Sequence, residues 1–115
     1  MPRYLISFDE GAMTISEEDL PAVDDAAHRV VREAMDAGVF VFGGGLGSHE
    51  KLSVVAADGT VTDNPHAAGR PYLGGFWIVD VPSREEALEW AAKTAVACRC
   101  AQDVREFMPD PAVGN

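Results

Sequence analysis

The run Phe76-Trp77-Ile78-Val79-Asp80-Val81 is apolar on both of its alternating faces. Successive strand side chains point to opposite faces, so such a run belongs inside a sheet and needs cover on both sides. The flanking sequence supplies two helices. Ser16-Glu17-Glu18-Asp19 is a helix-start signal with an acidic first turn, and Pro21 sits early enough to be tolerated there. Leu20, Val23, Ala27, Val30, Val31, Ala34 and Met35 then recur at helical spacing up to Gly38, a natural stop. Ser83-Arg84-Glu85-Glu86 is a capping box that opens the second helix, with Ala87, Leu88, Ala91, Ala92 and Ala95 on its inner stripe.

Strands are expected at Tyr4–Phe8, at Val39–Phe42 and at Val104–Phe107, and a hairpin around Asp58-Gly59, a two-residue turn signal. Gly43-Gly44-Gly45-Leu46-Gly47-Ser48 lacks the lysine and the following helix of a phosphate loop, and is expected to be a flexible turn or bulge beside a dimer interface. The order β-α-β, hairpin, β-α-β is α+β: a ferredoxin-like split βαβ with an antiparallel sheet. Two helices cover one face of that sheet, yet Phe76 to Val79 and Val39 to Phe42 offer no polar face for water. The simplest cover is a second copy, so a homodimer packed through the sheet face is expected.

The 115 residues leave room for one domain, 1–115, which should bury roughly two thirds of its unfolded surface. Nineteen acidic residues against nine basic give a net charge of −10, which argues against nucleic-acid and anionic-membrane partners. No apolar run approaches the ~20 residues of a membrane span, and the opening Met1-Pro2-Arg3-Tyr4 carries no secretory pattern, so a cytoplasmic protein is expected. Cys98 and Cys100 are too close for an unstrained disulfide and too few for a four-ligand zinc site, and read as reduced thiols. His28, His49 and His66 share no metal-ligand spacing, so neither metal nor cofactor is expected.

Asp63-Asn64-Pro65-His66, then Leu73-Gly74-Gly75-Phe76 with its aliphatic strand, then Glu86-Ala87-Leu88-Glu89-Trp90-Ala91, together resemble the YCII-related family and, within it, the DGPF branch. Tyr4 to Phe8 and Asp36-Ala37-Gly38-Val39 extend the resemblance over most of the chain. Asn64 and His66 stand where the branch carries Gly and Phe. The resemblance implies a dimeric α+β barrel of ferredoxin-like protomers. Some relatives in the wider superfamily are proposed to be small-molecule lyases or dehydrochlorinases using a His–Asp pair, and branch members often accompany extracytoplasmic-function sigma factors.

Two clusters carry candidate chemistry. Asp63 and His66 form a D-x-x-H pair in which the carboxylate orients the imidazole for acid–base work, or else bonds the backbone of its own turn. Arg70 is placed to hold an anionic substrate group. Asp24 and His28, four apart on the first helix, form either a second acid–base pair opening into the cleft between helix and sheet or an ordinary solvated contact. The expected function is a cofactor-independent lyase or isomerase acting on a small molecule. The alternative is a non-catalytic ligand- or protein-binding module, such as a sigma-factor accessory protein.

Overall fold

The computed structural model describes residues 2–65 and 71–115. The elements are β1 (Arg3–Asp9), α1 (Leu20–Asp36), β2 (Phe40–Gly45), β3 (Ser53–Val55), β4 (Val61–Asp63), β5 (Leu73–Asp80), α2 (Arg84–Cys98) and β6 (Asp103–Glu106). The main sheet has the order β2-β5-β1-β6 with every neighbour antiparallel, and β3-β4 form a separate two-stranded sheet. With the hairpin set aside, this is the strand order of a ferredoxin-like fold. No helix among the described residues is long and apolar enough to cross a membrane.

The double-faced run lies in β5, an interior strand. Alternation sends Trp77 and Val79 under the helices, where they join Tyr4 and Ile6 of β1 in the core. Ile6, Val79 and Val81 are fully enclosed, each contributing about 1.5–3 kcal/mol through burial. The opposite face carries Leu5, Ile78 and Phe76, with Phe42 of the edge strand paired to Ile78 and 62 % exposed. Among the described residues neither α1 nor α2 covers that face, and only the C-terminal turn at Pro111–Val113 approaches it, beside Leu5.

Helix α2 begins as its sequence requires: Ser83 Oγ accepts from the Glu86 N–H at 3.3 Å. Its inner stripe is Ala87, Ala91, Thr94 and Cys98, whereas Leu88 and Ala92 face outward. The helix is rotated from the expected face because small side chains let it sit close to the sheet. Helix α1 begins at Leu20, so the expected acidic first turn is instead a separate turn ahead of the helix. Its innermost residues are Val23, Val30 and Ala34, with Leu20 and Met35 exposed. The hairpin turn is also longer than expected: Ala56 and Thr60 pair across three residues, and Gly59, at φ +89°, takes the left-handed position.

Gly43 to Gly45 are strand, not a flexible turn: they pair with Trp77, Phe76 and Gly75 after a register shift between Phe40 and Phe42. A Cβ on Gly43 would lie 2.4 Å from Trp77 Cβ, and one on Gly75 would lie 2.8 Å from the Phe8 ring. Gly44 has nothing within 4 Å of its Cβ position. Gly43→Ala is therefore expected to destabilise the fold by about 1–3 kcal/mol through forced repacking, while Gly44→Ala stays within about 0.5 kcal/mol of wild type. Urea denaturation midpoints check both.

Candidate functional site: two clefts at the glycine-rich end

The end of the sheet where β1 leaves and β5 enters is held together by backbone bonds outside the ladders. Glu10 N–H donates to Tyr72 O at 2.7 Å and Leu46 N–H to Gly74 O at 2.9 Å. Two clefts with no lining residue in common open here.

The first is a groove of about 440 Å³ between α1 and the sheet. Phe8, Phe40 and Trp77 give it aromatic walls, and the Gly43–Gly45 strand forms part of its lining. Gly45, two residues on from Gly43 and so on the same strand face, has nothing within 4 Å of its Cβ position. The groove is hollow where a side chain would otherwise stand. Trp77 is only 6 % exposed, flanked by Phe40 at 6.3 Å and, edge-on, by Trp90 at 6.2 Å between ring centroids. Its indole Nε1–H finds no acceptor among the described residues. A buried donor without an acceptor costs roughly 1–3 kcal/mol.

Asp24 and His28 both line this groove from α1, as the helical spacing requires. Both are exposed, and among the described residues no hydrogen bond joins them. Across from them, Cys98 on α2 is a buried free thiol. Burial pushes it above the usual thiol range, with Cys100 and Asp24 adding to the shift. Burial raises Cys100 as well, against a bond from Gln102. Thiols held protonated in this way are poor nucleophiles.

The second cleft, about 420 Å³, is built around Glu10, His49 and Tyr72, which come from three separate connections. Glu10 follows β1 and sits against Gly74, whose Cβ would fall 2.9 Å from the Glu10 nitrogen. His49 begins a single 3-10 turn in which Ser48 Oγ accepts from the Glu50 N–H. The Glu10 carboxylate grips His49 twice. Oε1 lies 2.5 Å from Nδ1, and Oε2 accepts from the His49 backbone N–H at 3.1 Å. An ionised carboxylate only accepts, so the proton of the first bond resides on Nδ1. The imidazole lies flat on the Tyr72 ring, at 4.8 Å between centroids and 16° between planes. The side-chain bond from His49, then its backbone N–H, hold the Glu10 carboxyl below the ordinary glutamate range.

The model of the YCII-related domain matches residues 4–107 of this chain. The chain belongs to the YCII-related family. No curated protein matches it.

In this YCII-related protein, Asp63 ends β4 and its Oδ1 accepts from Ser53 Oγ across the hairpin at 2.6 Å. Among the described residues that bond takes the place of the expected bond to its own turn. His66 and Arg70 lie outside the described residues. Asp24 and His28 are thus brought together at a groove, while Asp63 is engaged with the hairpin. The Glu10–His49 pair was not legible in advance. Its members are 39 residues apart, and only the register that sets β1 beside the entry to β5 joins them. The one local hint was a glycine pair, Gly74-Gly75, that permits close backbone approach.

Because the folded Glu10 carboxyl titrates below its unfolded value, the bond's contribution to stability is complete above the unfolded pKa. It is lost as pH falls through the folded value. Carboxyl-detected NMR titration is expected to find the Glu10 midpoint depressed in wild type and moved back toward the ordinary range in His49→Ala, which keeps only the backbone N–H bond. The acid-side fall in stability should be shallower in that variant.

Proposed function

We propose that this YCII-related protein, which we place in the DGPF branch on its Asp63-Asn64-Pro65 and Leu73-Gly74-Gly75-Phe76 segments, binds a small, largely apolar molecule in the groove beneath α1. The observation that carries this reading is the hollow groove lined by Phe8, Phe40 and Trp77. Shape and apolar, aromatic lining supply affinity. Asp24 and His28 are the acid–base groups of that groove, so the reaction class it suits is proton transfer, as in an elimination or isomerisation. Asp63 and His66, with Arg70 for an anionic group, remain the second candidate set. A binding module without turnover is favoured by one feature: no hydrogen bond orients His28 toward Asp24 among the described residues.

The apolar sheet face of half-buried Leu5, Phe76 and Ile78 with exposed Phe42 supports a homodimer packed face to face. Phe42 and Phe76 form a tilted ring pair at 6.4 Å that would sit at its centre. Light scattering at micromolar concentration is expected to give a dimer for wild type and a monomer for Phe42→Asp. A monomeric wild type would overturn this part of the reading.

Ligand binding is tested by NMR against a panel of small aromatic carbonyl compounds. Wild-type shifts should concentrate on Phe8, Trp77 and His28. Gly45→Leu, which fills the groove from a position with free space, is expected to weaken binding at least about tenfold, the value of ~1.4 kcal/mol. Equal binding by the two proteins would place the ligand elsewhere.

A further inference from the structure

We propose that Glu10, His49 and Tyr72 form a second, separate proton-transfer site, with His49 Nε2 as the base and a small neutral carbon acid as substrate. Glu10 accepts the Nδ1 proton and the backbone N–H of the same residue, and so fixes the tautomer, position and tilt of the ring. Tyr72 fixes its plane. Nε2 is then the only ring nitrogen with a lone pair, and among the described residues nothing bonds to it. An imidazole held at Nδ1 by one residue and on one face by another, with its own backbone tied to the same carboxylate, has its orientation settled before a substrate arrives, which is what a general base needs.

The cleft sets the class of substrate. Leu46, Leu52 and Leu73 line it with apolar surface, and Lys51 is its one ammonium among the described residues. A net charge of −10 disfavours the approach of anions, so a neutral compound enters more readily. Negative charge that develops on a carbonyl or ring oxygen during reaction then meets Lys51. In the step itself a C–H proton passes to Nε2, and the C–H electron pair moves into the substrate. The resulting imidazolium is paired with the Glu10 carboxylate until the proton is returned to substrate or water. No oxidant or reductant takes part.

The probe is 5-nitrobenzisoxazole, a neutral aromatic carbon acid. Removal of its ring C–H proton forms a nitrile and breaks the N–O bond, and the electron pair leaves on a coloured phenolate. Wild-type protein is expected to show saturable turnover, and His49→Ala and His49→Phe, the latter keeping a flat ring on Tyr72, to lose about 10²-fold or more in kcat. Glu10→Gln keeps an acceptor for Nδ1 but removes the charge. It acts as a positioning change and should lower kcat with KM unchanged. Circular dichroism melts confirm that each variant is folded. Turnover that survives both His49 substitutions, or a wild-type rate no higher than that of the His49 variants, overturns the proposal.

Discussion

The approach of β2 and β1 to the central strand β5 governs the rest of the molecule. Where Gly43 meets Trp77 and Gly75 meets the Phe8 ring, there is no volume for even one methyl group. The two glycines let the Trp77 backbone and Cβ approach β2, and the Phe8 ring lie over β5, where side chains would otherwise stand. The core therefore stays closed at the middle of β5 around Val79 and Ile6, while the glycine-rich end is left hollow under α1. Close packing in one place and open space in the next come from the same short stretch of sequence.

That end of the sheet also gathers groups from distant points of the chain. Glu10, Tyr72 and the residues after Gly45 have no reason to meet until β1, β5 and β2 are in register. Once they are, two backbone bonds fix the loop bases and a carboxylate can hold a histidine by its ring and by its backbone. The two Glu10–His49 bonds are exposed and contribute little to global stability. Their effect is geometric: they settle where a small number of polar atoms stand beside apolar walls.

Much of the architecture was legible in the sequence, because it rests on local signals. The Ser83 cap, the stop at Gly38 and the two-faced apolar run of β5 each follow from one rule acting on a few residues. Errors arose where two rules competed. Leu88 reads as a core residue by hydrophobicity, yet α2 turns Ala87, Ala91, Thr94 and Cys98 inward because the sheet is near. The glycine run reads as a loop by propensity, yet it is strand because it pairs with β5, closely enough at Gly43 to exclude a side chain. The Asp24–His28 placement could be read from helical spacing. The Glu10–His49 bond could not, since pairing across 39 residues is decided by register alone.

The β3–β4 hairpin shares no ladder with the main sheet and stands on it as a small appendage. Two strands alone are marginal in water, and this arm is closed at its own base, where Asn64 N–H donates to Leu52 O at 2.6 Å and Ser53 Oγ donates to Asp63. The tip around Gly59 lies at the far end from that closure. Descendants of this chain can accordingly lengthen, shorten or recompose the tip while the core beneath keeps its packing. Changes of length there leave the ladders of the main sheet untouched.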